Sequence, residues 1–249
     1  MAKIAVADGI TVTACTPHMM PGVYDNLGPD VRERVTALQS ELDRRQIALK
    51  LITGADIHLQ EGLGARLKSG QLLPLNDSRY FLFEPPHHTA PPKLEDAVFS
   101  VMAAGYQPVL THPERLTWIE SHYEVMKNLA KRGVWMQITC GSVTGRFGRR
   151  PKYWAERMLD EGLVFILATD AHNLRNRVPI MSEAREAVAE RLGEEEAEHM
   201  VLTRPLGMTR NEAPETLPQP LMFSMPPPKK EWLRGLFGRS SPPAVRPYS

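Results

Sequence analysis

Nearly every apolar run that is typical of a β-strand in this sequence is followed at once by a histidine, an aspartate or a glutamate. The runs and the residues after them are Ile10–Cys15 with His18, Leu49–Thr53 with Asp56, Tyr80–Phe83 with Glu84, Pro108–Thr111 with His112, and Leu163–Thr169 with Asp170 and His172. In an α/β barrel the C-terminal ends of the strands form the catalytic face. Metal-ligating residue types at that edge indicate a metal-dependent hydrolase.

Strand patterns alternate with helical patterns along most of the chain. A helix is predicted over Pro29–Arg45, for example, because Val31, Val35, Leu38 and Leu42 recur at helical spacing. With Val134–Thr139 as a further strand, six strands are predicted, and their alternation with helices favours an α/β fold with parallel winding. A closed barrel usually has eight strands, so this number is low for a complete one.

The composition changes near residue 205, and we predict a domain boundary there. Residues 1–204 form the predicted barrel domain. Residues 205–249 contain ten prolines and few periodic apolar residues, and are predicted to be a disordered, basic tail. Within this tail, Trp232–Phe237 is flanked by lysine and arginine and could touch a membrane surface or a partner. A solvated linker is the favoured interpretation.

Charge and cysteine content restrict the function classes. The net charge of +1 produces no overall positive potential that would attract nucleic acid or an anionic membrane. No apolar run approaches the length of a membrane span. Cys15 and Cys140 are too few for a disulfide framework, so a cytoplasmic location is expected. No nucleic-acid partner and no transmembrane segment are predicted.

A set of nitrogen and oxygen ligands without thiolate suits manganese, zinc or iron better than a structural zinc site. The predicted metal ligands are His18, Asp56, Glu84, His112, Asp170 and His172. His58, two residues after Asp56, either faces the same cavity or is solvated, and the sequence leaves both open.

Arginines follow the same strand ends. Arg115 in H-P-E-R and Arg177 after D-A-H are predicted to bind phosphate, since guanidinium groups bind it bidentately. For Arg175 an ion pair with a nearby carboxylate is favoured. Glu114 is interpreted as a residue that orients Arg115.

A competing motif is Cys140–Arg146, which has the C-x5-R spacing of cysteine-dependent phosphatases. In that motif backbone N–H groups hold the phosphate and the arginine lowers the thiol pKa. The spacing joins two common residue types, so a glycine-rich loop with a small buried cysteine is favoured.

Several motifs together resemble the bacterial polymerase-and-histidinol-phosphatase (PHP) class of protein-tyrosine phosphatases of capsular and exopolysaccharide synthesis. They are T-P-H, G-A-D-I, F-E-P-P, H-P-E-R, G-S-V-T-G-R-F-G and D-A-H, over about residues 1–190. The resemblance implies a distorted seven-stranded β/α barrel, up to three metal ions, commonly manganese, and the six metal ligands named above. It also implies Arg115 as a phosphate ligand and a tyrosine autokinase as partner.

Two departures from that family are visible. The family usually has glutamate where this chain has Asp56. Family members also open with a strand bearing His-x-His, and this sequence has none before His18. Three explanations of the missing His-x-His strand are open: the start codon is placed too late, the chain is a fragment, or the protein is a non-catalytic relative. The first is favoured, with poor activity expected for the sequence as it stands.

The resulting hypothesis is metal-assisted hydrolysis of phosphotyrosine on a protein, with a tyrosine kinase of polysaccharide export as the partner. Arg115 would stabilise the transferring phosphoryl group, while His112 or His172 could protonate the leaving oxygen. Two alternatives stay open: a phosphoesterase acting on a small phosphomonoester such as histidinol phosphate, and a non-catalytic relative that docks on a kinase.

Overall fold

Short parallel strands alternate with helices in the computed structural model, which describes residues 1–223. The strands are β1 (Val12–Cys15), β2 (His18–Met19), β3 (Lys50–Thr53), β4 (Asp56–His58), β5 (Tyr80–Glu84), β6 (Gln107–Thr111), β7 (Trp135–Thr139) and β8 (Val164–Ala168). The helices are α1 (Ala2–Ala7), α2 (Gly28–Arg44), α3 (Leu63–Lys68), α4 (Leu94–Ala103), α5 (Tyr123–Lys131), α6 (Cys140–Val143), α7 (Arg149–Asp160), α8 (Ser182–Leu192), α9 (Glu194–Glu198) and α10 (Arg204–Thr209). Within this range no helix has the length and apolarity needed to cross a bilayer.

The strands form two parallel sheets. One contains only β1 and β3, and the other has the order β2-β4-β5-β6-β7-β8. The predicted α/β class and parallel winding are confirmed, but the ladders among residues 1–223 make no closed ring. Strands β2 and β4 were missed because each is very short and directly follows a strand of the other sheet, after Thr16-Pro17 and Gly54-Ala55 respectively.

The central strands are buried on both faces, which explains their continuous apolar sequences. On β5, Phe81 and Phe83 belong to the larger apolar cluster, whereas Tyr80 and Leu82 belong to a second cluster with Trp135. Side chains alternate along a strand, so successive residues must find separate apolar environments. Apolar side chains pack on both faces of the sheet, and this packing holds the residues at its carboxyl edge in place.

The C-terminal part of the described chain contradicts the prediction of disorder from residue 205. Helix α10 is followed by short 3₁₀ turns at Pro214–Thr216 and Leu221–Phe223. Leu217 is buried, and the backbone carbonyl of Glu212 accepts a hydrogen bond of 2.7 Å from the hydroxyl of Tyr80. The rest of the predicted tail, including 232–237, lies outside the described residues.

A fully buried arginine explains why this proline-rich segment is ordered. The guanidinium of Arg204 forms bonds of 2.7 and 3.0 Å with the two carboxylate oxygens of Glu196. It also donates to the carbonyl oxygens of Phe165, Pro218 and Gln219 at 3.1, 2.8 and 2.9 Å. A buried charge needs this degree of pairing. Arg204 therefore joins β8, α9 and the C-terminal segment.

We expect Arg204→Met to lower the free energy of unfolding by about 3–5 kcal/mol, because it leaves the buried Glu196 carboxylate without its partner. Urea denaturation measures the loss. The matched control is Arg191→Met, which removes a more exposed ion pair with Asp160 and should cost about 1 kcal/mol or less. Equal losses in the two variants would show that Arg204 does not have this role.

Candidate functional site

The register of the large sheet places candidate ligands side by side at its carboxyl edge. His18 of β2 lies beside Asp56 of β4, and His58 of β4 lies beside Glu84 of β5. Asp56 and His58 are two residues apart on one strand, so their side chains project to the same face. His112 follows the last residue of β6 directly, which brings it to the same edge.

Two groups of three side chains approach closely enough to hold a metal ion, and they share Glu84. One group is His18, His58 and Glu84, and the other is Asp56, Glu84 and His112, each with ligand atoms within 4.8 Å of one another. Oε2 of Glu84 lies 3.0 Å from Nε2 of His58 and 3.4 Å from Nδ1 of His18. Nε2 of His112 lies 3.5 Å from Oδ2 of Asp56.

The charges in this cluster are strongly coupled. Burial alone would raise the pKa of Glu84, but the imidazoles of His58, His112 and His18 outweigh it and lower the pKa to about 2. Burial would lower the pKa of His112, but the Asp56 carboxylate, 3.5 Å away, raises it. Two carboxylates and three imidazoles thus form one electrostatically linked group in a largely buried site.

The donor atoms fit a divalent cation. Nδ1 of His18 and Oε2 of Glu84 are buried and lack any hydrogen-bond partner with acceptable geometry, although they lie close to each other. Buried polar atoms are almost always paired, so such atoms that converge on one point need another partner. Imidazole nitrogens and carboxylate oxygens suit manganese, zinc or iron. The residues present therefore match a metal site.

Neighbouring groups orient two of these side chains. The hydroxyl of Thr111 donates to Oδ1 of Asp56 at 3.1 Å, and such outer contacts fix the orientation of ligating carboxylates. His112 has a φ of 36°, in the left-handed region that a non-glycine residue rarely adopts. Its N–H donates to the carbonyl of Gln137 at 2.8 Å, which holds it in this conformation. Strained backbone of this kind is concentrated at functional sites.

Asp170 lies in a second group, which contains the two predicted phosphate-binding arginines. Nη1 of Arg115 is 2.6 Å from Oδ2 of Asp170, and the guanidinium of Arg177 binds the same oxygen. Nδ1 of His172 is 2.9 Å from the backbone carbonyl of Asp170, and its ring centre is 6.5 Å from that of His18. Asp170 also has a left-handed backbone, with φ of 47°.

Phe147 packs against both arginines. The guanidinium carbons of Arg115 and Arg177 are 5.1 and 5.9 Å from the centre of its ring, within the range of cation–π attraction. The ring also covers Gly141, where a Cβ atom would lie 3.0 Å from two of its carbons. Glycine at 141 therefore allows Phe147 to approach, and Phe147 in turn supports the arginine pair.

The interpretation of Glu114 as the residue that orients Arg115 is wrong. Oε1 of Glu114 accepts hydrogen bonds from the Thr139 backbone N–H at 3.0 Å and from the Ser142 hydroxyl at 2.7 Å. Its side chain is fully buried, and burial raises its pKa. Glu114 connects the segment after β6 to the end of β7 and to α6, and thereby fixes their relative positions.

The C-x5-R motif does not form a phosphate-binding loop. Cys140 is buried with its sulfur 3.3 Å from that of Met181, and burial raises the pKa of the thiol. A reactive thiolate needs the opposite shift. Arg146 is bound to Glu183 on the surface. The small buried cysteine of the favoured interpretation is consistent with the geometry, but Cys140–Val143 form the short helix α6 and not a loop.

Of the six predicted ligands, four come together in the two triads, and Asp170 and His172 lie outside both. His58 was left undecided by the sequence and lies inside one triad. Its spacing from Asp56 was the available signal, but β4 is only three residues long and shows no recognisable alternation. His87 is half-buried nearby, and burial is the main cause that lowers its pKa.

The chain matches the family model described as "Capsular polysaccharide synthesis, CpsB/CapC" over residues 1–209. It belongs to the CpsB/CapC family. Tyrosine-protein phosphatase YwqE of Bacillus subtilis is 34% identical over 195 residues, covering 78% of this chain and 77% of the relative. Tyrosine-protein phosphatase CpsB of Streptococcus pneumoniae is 27% identical over 204 residues, covering 79% and 83% respectively.

A solved structure supports the same relationship. It aligns with this chain at a TM-score of 0.82 and 32% identity, and the alignment covers 88% of this chain and 89% of the solved chain. The solved structure belongs to a description of YwqE from Bacillus subtilis and CpsB from Streptococcus pneumoniae as "unique metal-dependent tyrosine phosphatases". The predicted resemblance to capsular tyrosine phosphatases is thereby confirmed. The two triads of this chain are consistent with metal dependence.

We expect Cys140→Ala to retain the phosphotyrosine phosphatase activity of the unsubstituted chain and to lose only about 1 kcal/mol of stability, because the thiol is a packing group. Hydrolysis of a phosphotyrosine peptide and urea denaturation measure the two quantities. Loss of turnover in a folded Cys140→Ala variant, together with resistance of the original chain to chelators, would instead support a cysteine nucleophile.

Proposed function

We propose that this protein is a metal-dependent protein-tyrosine phosphatase of capsular or exopolysaccharide synthesis. The observation that carries the proposal is the pair of triads sharing the buried Glu84 at the carboxyl edge of the sheet. Each triad would hold one divalent ion, and sites for two metal ions are typical of phosphoester hydrolases. The names of the CpsB/CapC relatives supply the substrate class, a phosphotyrosine protein.

The proposed ligands are His18, His58 and Glu84 for one ion and Asp56, Glu84 and His112 for the other. Asp170 and His172 are proposed as ligands of a further ion at the same rim, in line with the three-ion pattern that the sequence resemblance implies. Manganese is the proposed metal because the sequence resemblance implies it, and the carboxylate ligands suit it. When bound, the ions supply Lewis-acid stabilisation of the phosphoryl oxygens and activate water for attack.

The arginines are proposed to bind the phosphoryl group. Arg115 and Arg177 both contact one carboxylate oxygen of Asp170, so their donors already converge on a point that an oxygen atom can occupy. A phosphoryl oxygen could take that place, with Phe147 keeping the guanidinium groups aligned. Charge on the equatorial oxygens is then stabilised by preorganised donors, which supplies most of the catalysis in phosphoryl transfer.

The proposed proton donor to the leaving oxygen is His172 in the state in which its Nε2 holds no ion, because a ligating nitrogen cannot carry the proton. His112 is the alternative, through the ring nitrogen that does not face Asp56. Nδ1 of His172 bonds to the carbonyl of Asp170, which leaves Nε2 free to exchange a proton. The side chain is 43% exposed, so it can also recover a proton from solvent. A phenolate is a good leaving group, and its protonation adds little to the rate.

A distorted PHP-type barrel is the proposed architecture. His18 on one edge strand of the large sheet and His172 after the opposite edge strand have ring centres 6.5 Å apart. The sheet is therefore strongly curled at its carboxyl edge, which supports a barrel-like arrangement. A cytoplasmic location and a tyrosine kinase of polysaccharide export as partner are proposed on the family resemblance.

We expect His58→Ala to lower the affinity for Mn²⁺ by at least about tenfold, because it removes a donor from one triad. Calorimetric titration of the chelator-treated chain measures the affinity and the number of ions. His88→Ala is the matched control, since His88 is an exposed histidine outside both triads. If both variants bind Mn²⁺ like the original chain, His58 is not a ligand.

We expect Arg115→Met to reduce kcat/KM for a phosphotyrosine peptide by about 10²–10³, the usual effect of removing one donor to the transition state. The exposed Arg175 of the neighbouring loop provides the control, and Arg175→Met should leave kcat/KM unchanged. The proposal fails if the metal-loaded original chain does not hydrolyse the peptide, or if Arg115→Met and Arg175→Met behave alike.

A further inference from the structure

An exposed tyrosine lies directly beside the metal-ligand cluster. The ring of Tyr24 is tilted by 31° against that of His18, with the ring centres 5.3 Å apart. His18 is itself 3.4 Å from Glu84. Tyr24 thus adjoins the triads at their outer rim, although no step of the proposed chemistry uses it.

The turn that carries Tyr24 is well fixed. Met20 and Tyr24 exchange two backbone hydrogen bonds of 3.0 and 2.7 Å, and Asp25 accepts a bond of 2.7 Å from the Gly22 N–H. Asn26 donates to the carbonyl of His18 at 2.9 Å, which attaches the turn to β2. An aromatic side chain on a rigid turn loses little conformational freedom when it binds a ligand.

Packing does not account for this position. Tyr24 is 48% exposed, and it belongs to none of the apolar clusters among the described residues. Val23 of the same turn is 60% exposed, and Leu27, the residue before α2, is 46% exposed. Exposed apolar surface rimmed by polar residues is one mark of a ligand-binding groove or a partner surface.

We infer that Tyr24 is a specificity-determining residue that contacts the phenyl ring of the substrate. This inference rests on the proposed phosphatase function. If Arg115 and the ions that the triads would hold bind the phosphoryl group, the substrate ring lies outside the cluster, and Tyr24 is the exposed aromatic ring next to His18. Aromatic pairs favour offset or edge-to-face contacts with centres 4.5–7 Å apart, as roughly found between Tyr24 and His18. An alkyl phosphate would gain nothing from this contact.

The test measures binding to the full chain loaded with Mn²⁺, independently of turnover. Two peptides of the same sequence are compared: one carries phosphonomethyl-phenylalanine, a stable mimic of phosphotyrosine, and the other carries the phosphonate analogue of phosphoserine. The ratio of their Kd values, from calorimetry, reports how much the ring contributes. We expect Tyr24→Leu to reduce the preference for the aromatic ligand by about three- to tenfold.

Tyr24→Phe keeps the ring and should preserve the preference. Tyr153→Leu, at another exposed tyrosine that contacts Trp154, is the matched control and should also preserve it. An unchanged ratio in Tyr24→Leu, with the original chain binding both peptides, would overturn the inference and leave the phosphatase proposal intact. If the original chain binds neither peptide, both the inference and the proposed function are wrong.

Discussion

Glu84 is a buried carboxylate at the end of the central strand β5, and three imidazoles approach it from β2, β4 and the residue after β6. Its position depends on the parallel register, which sets His58 beside Glu84 and His18 beside Asp56. A shift of one residue in either ladder would turn these side chains to the opposite face. The buried faces of β5, with Phe81 and Tyr80 in different apolar clusters, make that shift costly.

The arginine pair depends on contacts that surround it. Phe147 lies over both guanidinium groups, and Gly141 provides the space for this ring. Glu114 joins α6, which carries Gly141, to the segment that carries Arg115. Side chains far apart in sequence thus support the same two guanidinium groups, and positioning of this kind makes electrostatic stabilisation effective.

Much of the fold and part of the site could be predicted from the sequence, for physical reasons. Parallel strands buried on both faces give continuous apolar runs, so the six longer strands were recognised. Strands β2 and β4 are too short to show a pattern, and with β4 the role of His58 stayed open. The partners of Glu114 lie on another strand, which no local pattern reveals. The order of residues 205–223 depends on Arg204, whose burial contradicts its usual preference for the surface.

The C-terminal segment packs against only one end of the large sheet. It bonds to Tyr80, the first residue of β5, and the N–H of Met222 donates to the carbonyl of Gly162 just before β8. Both contacts are at the amino end of the strands, whereas Glu84 and His112 are at the carboxyl end. The last described residues therefore leave the entrance to the ligand cluster uncovered. A fluorophore or a surface tether attached at Phe223 would lie at the amino end of the strands. A bulky phosphoprotein could still approach the ligand cluster at the carboxyl end.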